Sequence, residues 1–260
     1  KSLELIQKLD SAQTKIYTHP RYGLVQNWNY CIKKAKGKYI KFLFQDDLIT
    51  SDCIQKMVDI AETNHQIGLV FCPRSLISEQ PINSNDFPEN LHKGWSNLKP
   101  YQLGIELLQD PHLLQHPHNK IGEPTAVLIR REVFDQIGLF DSFFKQYADL
   151  EMWLRIMTRY QLAFIDEKLA SFRIHPNQAT QQNLTQDISW SEIYSVWLKI
   201  LYNPIYQVIP SETRQYIKET VIKQLIREYI KSIIFSKLYR WGKINELLIK
   251  AVQAKIKTAS

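Results

Sequence analysis

An apolar run that ends abruptly in two adjacent carboxylates limits the folds open to this chain. Residues 39–44 read Tyr-Ile-Lys-Phe-Leu-Phe, and Asp46 and Asp47 follow after a single Gln. Aromatic and branched residues at this density favour a half-buried strand. Two like charges at the end of a strand repel each other unless a cation or hydrogen-bond donors neutralise them. The pattern therefore predicts a strand terminus that presents paired acids.

Two interpretations of Asp46 and Asp47 are open from these residues alone. Hard oxygen ligands at a strand end suit Mg²⁺ or Mn²⁺ carrying a diphosphate. Alternatively, one of the two acids only caps the helix that follows. Capping is the ordinary outcome for an isolated pair, so the rest of the chain has to decide between them.

The sequence before the acids adds a helix to this pattern. Gly23 precedes residues 24–36, whose apolar members predict a helix that Gly37 ends. They are Val25, Trp28, Cys31, Ile32 and Ala35. The whole segment resembles the family 2 glycosyltransferases of the GT-A fold, in which a glycine-led helix, a small-residue turn and a strand lead to metal-binding aspartates. Phe44 stands where the family's fuller pattern has a further acid.

The resemblance implies an α/β GT-A fold, a mixed sheet flanked by helices, followed here by a helical C-terminal region. It also implies a divalent cation, Mg²⁺ or Mn²⁺, held by Asp47 with Asp46 close by. That cation would carry the diphosphate of a nucleotide-activated sugar.

A second match lies at residues 138–155 and resembles the family's catalytic-base segment. Asp149 takes the position of the base, Glu151 and Arg155 join the donor- and acceptor-binding set, and Ala148 replaces a frequent Glu. Asp149 at a helix start is expected to stay ionised in the field of the helix dipole. The alternative is that Asp149 is only an N-cap and Glu151 a solvated acid of the first turn.

A third match surrounds Glu123, in a stretch similar to one that lines the donor and acceptor cleft in the family. Pro124 fixes an extended start, and residues 125–129 are predicted to form a short buried strand. Glu123 either hydrogen-bonds a sugar hydroxyl or pairs with Arg130 or Arg131.

A fourth match, at residues 172–180, places His175 where the family can contact the metal or the diphosphate. A lone His is more often structural, but the order and spacing of four matches favour the functional interpretation. Nearer the start, residues 15–19 are predicted to form a strand. Arg21 follows in a loop, either as a phosphate contact or as an exposed arginine.

Together the matches imply that a sugar is transferred with inversion to a hydroxyl of a glycan or lipid-linked acceptor. Among nucleotide-activated donors, a UDP-sugar is the first choice. Surface polysaccharide or glycan synthesis would be the setting. Asp149 would deprotonate the acceptor while the metal neutralises the departing diphosphate. The chain opens at Lys1, and the resemblance implies a preceding segment that grips the nucleotide, so we expect that segment to be missing here.

The positive charge lies at the C-terminal end. Residues 211–260 contain 11 Lys and Arg against 4 Glu, which equals the net +7 of the whole chain. We expect a catalytic domain over residues 1–182 and a helical region over 183–260, with two amphipathic helices separated by Gly242. Their apolar face either packs on the catalytic domain or lies on an anionic membrane. Nothing resembles a base-stacking motif for nucleic acid.

Other classes of protein stay open. The chain has three cysteines without paired spacing, which favours a cytoplasmic protein. It has no apolar run long enough to span a bilayer. If the basic tail binds lipid, we expect the protein to be peripheral at the inner face of the membrane. Ala148 and Phe44 motivate a non-catalytic remnant or binding module that keeps the fold. A nucleotidyltransferase, which also joins sugars, metals and acidic strand ends, is a weaker enzymatic rival.

Overall fold

The computed structural model describes residues 2–7, 14–83, 86–176, 178, 180, 183, 188–234 and 240–254. The helices are α1 (Ser2–Gln7), α2 (Leu24–Lys34), α3 (Cys53–Glu62), α4 (Gly104–Leu108), α5 (Glu132–Ile137), α6 (Ala148–Met157), α7 (Ile188–Tyr202), α8 (Ser211–Ile234) and α9 (Trp241–Gln253). The strands are β1 (Tyr39–Lys41), β2 (Leu48–Ile49), β3 (Ile67–Phe71), β4 (Arg74–Ser78), β5 (Tyr101–Leu103), β6 (Val127–Arg130), β7 (Gln161–Phe164) and β8 (Ala170–Ile174). Single 3₁₀ turns lie at Leu91–Gly94, Pro124–Ala126 and Pro204–Val208.

A five-stranded sheet in the order β1-β6-β3-β7-β5 forms the centre of the fold. β3 and β7 run parallel, and the other neighbouring pairs run antiparallel. Every residue of β3 and β6 is buried, as expected for apolar strands covered on both faces. The predicted α/β class, a mixed sheet flanked by helices, is confirmed.

A second sheet, in the order β2-β8-β4, brings distant segments of the chain together. β2 pairs antiparallel with β8 through Leu48 and Ser171, while β4 runs parallel to β8. Because β2 starts directly after Asp47 and β8 ends at Ile174, this register sets the paired acids beside the segment that carries His175.

The structure corrects several predicted elements near the start. α2 is confirmed as a helix, but residues 15–19 form no strand. β1 stops at Lys41 because the next side chains join an aromatic cluster: the ring centroids of Trp28 and Phe44 lie 5.4 Å apart, and those of Phe42 and Phe140 lie 5.9 Å apart. Further along, the strand predicted over 125–129 begins at Val127, after a 3₁₀ turn.

The capping interpretations are wrong. The helix after the paired acids is α3, whose N-cap residue is Asp52, while β2 follows Asp47 directly. The N-cap residue of α6 is Tyr147, and Asp149 lies inside the helix. The acids that the sequence singled out are therefore not explained by helix capping.

The C-terminal helices share the main hydrophobic core. Trp197 of α7 is fully buried in the same cluster as Trp153 of α6, and α8 adds Ile217, Val221 and Leu225. The packing of these helices on the core thus explains one apolar face of the C-terminal region. The boundary expected at 182/183 falls in a stretch where, between 181 and 187, only residue 183 is described.

The break predicted between the last two helices is misplaced. Gly242 lies in the first turn of α9, in open space, rather than between helices. Residues 235–239, which separate α8 from α9, lie outside the described residues. Within the described part of the chain, each helix is too short or too polar to cross a membrane.

Candidate active site

Two adjoining cavities lie where the ends of these elements meet. The larger, of about 490 Å³, is lined by Asp46, Glu123 and Asp149, among others. The smaller, of about 150 Å³, shares Glu123 and Asp149 with it. These two carboxylates therefore lie on the wall shared by the two cavities, where a molecule bound in one cavity would be close to a molecule bound in the other.

Asp46 and His175 come together at the rim of the larger cavity. His175 Nε2 lies 3.0 Å from Asp46 Oδ2, and about a third of each side chain is exposed. Arg173, two residues before His175, donates from Nε to the Asp46 backbone carbonyl over 2.9 Å. The prediction that the first acid and the distant histidine share a site is thus matched by the geometry.

Asp47 points away from the cavity into the protein. Thr125 Oγ1 donates to its Oδ2 over 2.5 Å, and the Arg173 backbone N–H donates to its Oδ1 over 3.1 Å. Only 6% of the residue is exposed, and this burial raises the pKa of Asp47, against the two hydrogen bonds. The assignment of Asp47 as the leading metal ligand does not fit this orientation, because the side chain is buried and lines neither cavity.

The remaining donor set fits a hard divalent cation. Asp46 offers a partly exposed carboxylate whose Oδ2 meets His175 Nε2, whereas no three His, Cys, Asp or Glu side chains cluster as a metal site within the described ranges. Mg²⁺ is usually held by one or two protein groups together with water and substrate phosphates. Asp46 and His175 therefore suit a cation that arrives with a diphosphate.

Asp149 lies in the first turn of α6 with both oxygens hydrogen-bonded. The Leu150 backbone N–H donates to Oδ1 over 2.7 Å, and the Asn119 side-chain amide donates to Oδ2 over 2.9 Å. Burial raises the pKa of Asp149 to about 7, and the negative charge of Glu123 adds to the rise. Removal from water thus opposes the helix field that was expected to keep this acid ionised.

Asn119 holds Asp149 in place, a role that no sequence motif indicated. Its Nδ2 also donates to the Gly122 carbonyl over 3.1 Å, and its Oδ1 accepts from the N–H groups of Ile121 and Gly122. Gly122 has a φ of 112°, a backbone region that side chains rarely adopt, so glycine is required for this turn. Trp153 Nε1 donates to the same Gly122 carbonyl from beneath, over 2.9 Å.

Glu123 has a partner that sequence reasoning did not name. Arg74 Nε lies 2.6 Å from Glu123 Oε2, while Arg74 Nη1 donates to the carbonyls of Pro88 and Glu89. The alternative of a pair with Arg130 or Arg131 is wrong, because those two side chains contact other groups. About a quarter of the Glu123 side chain stays exposed on the shared wall.

Glu151 and Arg155 lie behind the cavities instead of lining them. Glu151 is fully buried: its Oε2 accepts from Arg155 Nη2 over 2.8 Å, and its Oε1 accepts from Lys199 Nζ over 2.7 Å. The alternative of a solvated acid is therefore wrong, and direct contact of either residue with a donor or acceptor does not fit the geometry. Arg21 is exposed before α2 and lines neither cavity.

Comparisons with known proteins identify the family of the chain. Residues 1–138 match the family model described as glycosyl transferase family 2. An uncharacterized protein of Mycobacterium tuberculosis is 31% identical over 58% of this chain and 47% of its own length. An uncharacterized glycosyltransferase of Rickettsia typhi is 29% identical over 78% of this chain and 61% of its own length. The chain thus spans about half to three-fifths of these relatives.

A solved structure shares the fold. Residues 1–349 of S. aureus TarS, in complex with UDP-GlcNAc, superpose with a TM-score of 0.61 over 98% of this chain and 69% of that chain, at 13% identity. A second crystal structure of the same TarS fragment gives a TM-score of 0.59 over 97% of this chain and 67% of that chain, at 14% identity. At this identity the likeness shows the common fold of the two chains.

Proposed function

The chain belongs to glycosyl transferase family 2, and on that basis we propose that it transfers a sugar from a nucleoside-diphosphate donor to an acceptor hydroxyl with inversion. One observation carries the proposal. Asp149, whose pKa is raised to about 7, stands between a larger cavity that has Asp46 at its rim and a smaller cavity. A base between two substrate spaces is what a direct displacement needs.

The larger cavity would take the donor. Asp46 and His175 would hold Mg²⁺ or Mn²⁺ together with the donor diphosphate, with Asp46 preferred over Asp47 because its carboxylate faces the cavity. A divalent cation in this place supplies charge neutralisation for the leaving diphosphate. Asp47, through Thr125 and Arg173, would hold the segment that presents Asp46.

The chemistry would be one displacement. The acceptor oxygen attacks the anomeric carbon as its proton passes to a carboxylate oxygen of Asp149, and the bond to the nucleoside diphosphate breaks with the electron pair leaving on the phosphate. The configuration inverts, and no covalent intermediate with the enzyme is needed. A base with a pKa near the working pH is well matched to this proton transfer.

The smaller cavity would take the acceptor. Phe172 and Tyr147 give it apolar ring surface, while Asn119 and Glu123 give it polar groups near the base. Ring faces beside a few hydrogen-bonding groups suit the alternating surfaces of a sugar. A glycan or lipid-linked sugar acceptor is the class we propose.

Calorimetric titration of UDP and GDP, with and without Mn²⁺, tests the donor site. We expect Mn²⁺-dependent binding to the wild type, weakened at least about tenfold in Asp46→Asn. Asp59→Asn, a change on the exposed face of α3, is the matched control and should bind as the wild type does. Metal-independent binding, or an unaffected Asp46→Asn variant, would refute this assignment.

Turnover separates an enzyme from a binding module. With UDP-sugars tested first, the wild type should release the nucleoside diphosphate as the sugar passes to an acceptor or, more slowly, to water. Asp149→Asn should bind the nucleotide but lose turnover by about a hundredfold or more. A wild type that binds nucleotide and never turns over would favour the non-catalytic alternative.

We also propose that the outer face of α8 contacts an anionic membrane, as a route to lipid-linked acceptors. Ile226, Ile230 and Ile233 are each about half exposed at helical spacing, opposite the buried face of the helix. Lys223, Arg227 and Lys231 are exposed on the same outer side. A second copy docked by two-fold symmetry would set like charges against each other, whereas anionic lipid complements them.

Vesicle sedimentation tests this contact. We expect the wild type to bind vesicles that contain phosphatidylglycerol and not vesicles of phosphatidylcholine alone. Ile230→Ser should weaken the binding about fivefold, whereas Ile54→Ser, an equally exposed isoleucine on α3, should not. Equal binding by both variants would contradict the proposal.

A further inference from the structure

A buried carboxylate from the C-terminal helices reaches the start of the base-bearing helix. Glu192 of α7 is only 7% exposed. Its Oε1 accepts from the Lys145 backbone N–H over 2.9 Å, and its Oε2 accepts from the N–H groups of Gln146 at 2.8 Å and Tyr147 at 3.2 Å. Three consecutive backbone donors thus converge on one side chain that lies 45 or more residues away in sequence.

These donors belong to the walls of both cavities. Lys145 and Gln146 line the larger cavity, and Gln146 and Tyr147 line the smaller one. Tyr147 is also the N-cap residue of α6, and its own side chain makes no capping hydrogen bond. Glu192 therefore supplies the fixed charge at the point from which α6 projects Asp149.

The same helix grips α6 a second time. Lys199, two turns beyond Glu192, donates to Glu151 Oε1 over 2.7 Å and to Asp141 Oδ2 over 2.8 Å. Glu151 lies one half-turn past Asp149 on α6. Glu192 thus binds the chain just before Asp149, and Lys199 binds Glu151 just after it. These contacts leave α6 little freedom to tilt or slide relative to α7.

We infer that Glu192 is a positioning residue for the catalytic base, and that α7 is part of the catalytic unit. Charge-assisted hydrogen bonds to consecutive backbone N–H groups are stronger than neutral ones and fix backbone geometry. Without the carboxylate, three donors in a partly buried loop lose their acceptor. The loop would then relax, and the base would leave the position from which it reaches the acceptor.

Hydrogen exchange on the full chain tests the geometry without any substrate. In Glu192→Gln, whose neutral amide keeps the shape but turns one acceptor into a donor, the amides of 145–147 should exchange at least about tenfold faster than in the wild type. Glu212→Gln, an exposed helical glutamate of α8, is the matched control. Unchanged exchange at 145–147 in Glu192→Gln would overturn the inference.

Kinetics then separate positioning from general support, and this part rests on the proposed function. With the UDP-sugar that supports turnover, kcat of Glu192→Gln should fall at least about tenfold while the donor KM changes less than about threefold. If Glu192→Gln instead exchanged faster along the whole chain or had a lower melting temperature, and its kcat and donor affinity fell together, Glu192 would have a structural role only. Glu192→Asp, which keeps the charge, should recover part of kcat.

Failure of the proposed function is recognisable separately. A wild type that turns over no donor would refute the glycosyl transfer, while faster exchange confined to 145–147 in Glu192→Gln would still support the positioning contact. Turnover in the wild type, with unchanged exchange and unchanged kcat in Glu192→Gln, would refute the inference alone.

Discussion

The side-chain amide of Asn119 donates a 2.9 Å hydrogen bond to Oδ2 of Asp149, joining a loop that precedes β6 to the first turn of α6. Asn119 has no freedom to turn away, because its carbonyl oxygen accepts from Ile121 and Gly122 at the same time. The amide therefore presents a fixed donor to the ionised form of Asp149. It is one of the groups that oppose the effect of burial on this acid.

Asn119→Ala should move the acidic limb of the pH–rate profile upward. The hydrogen bond lowers the pKa of Asp149, so its loss raises that pKa further above about 7, by up to about one unit. A base works only when ionised, so activity would then be lost at a higher pH as the pH falls. The measurement is kcat/KM against pH, and an unmoved midpoint would refute this role of Asn119.

A matched control for that variant is Asn64→Ala. Asn64 donates to Gln161 on the exposed end of the sheet and lines neither cavity. Its replacement should leave the midpoint of the profile unchanged. A similar shift in both variants would point to a general effect of destabilisation.

Asp149→Asn should stabilise the fold above neutral pH. The folded pKa, about 7, lies above the usual value of 3.8, so protonation favours the folded state. That contribution is complete below about pH 4 and is lost as the pH rises to about 7. At about pH 8 the variant should gain on the order of 2 kcal/mol, less than the full shift implies because part of the side chain stays in water.

Denaturant unfolding at about pH 4 and about pH 8 measures that gain. The two proteins should be nearly equal in stability at the acidic pH and differ at the alkaline one. A variant that is less stable than the wild type at about pH 8 would mean that burial does not strain this carboxylate. The experiment needs no substrate, so it tests the electrostatics of the site directly.

Local pattern predicted part of the frame that carries the site. The spacing of Val25, Trp28 and Ile32 predicted α2, and those three residues are its buried face. Motif order placed Asp46 near His175, which the pairing of β2 with β8 brings within 3.0 Å. Periodicity predicts a helix because it acts over a short stretch of chain, whereas the nearness of Asp46 to His175, 129 residues away, was implied by the resemblance to a known family.

The sequence alone could not show which of the two neighbouring acids faces the cavity, or which residues hold the other one. Asp46 and Asp47 differ by one position, and only the contacts of Asp47 with Thr125 and Arg173 show which of the two is turned inward. Those partners lie 78 and 126 residues away. Such choices depend on tertiary packing, which a single sequence does not encode in any local pattern.

Thr125→Val should lower stability by about 1 to 3 kcal/mol, because it leaves an oxygen of the buried Asp47 without its donor while keeping the side-chain shape. Thr63→Val is the matched control, since Thr63 donates to a carbonyl at the exposed end of α3. Urea unfolding should show a much smaller loss for the control.

The same experiment distinguishes the two acids. Asp47→Ala should lose stability as Thr125→Val does, because it leaves the donors of Thr125 and Arg173 without an acceptor, whereas Asp46→Asn should unfold like the wild type, because Asp46 is partly exposed. If Asp47→Ala were fully stable but bound no nucleotide with Mn²⁺, Asp47 would be a ligand group after all, and its inward orientation would not represent the working site.

Lys199→Met should destabilise the chain by about 3 kcal/mol, because it leaves the fully buried Glu151 with only Arg155 as its cation. Lys250→Met is the matched control: Lys250 pairs with Glu246 over 2.5 Å on the surface of α9, and loss of an exposed pair costs less than about 1 kcal/mol. Combining Lys199→Met with Glu151→Gln should cost less than the sum of the single changes, since the second change removes the buried charge that the first one strands. Denaturant midpoints of the four variants measure this coupling. If the losses of stability were additive, Lys199 would act mainly through its contact with Asp141. In that case α7 would stabilise the loop before α6 more than it stabilises α6.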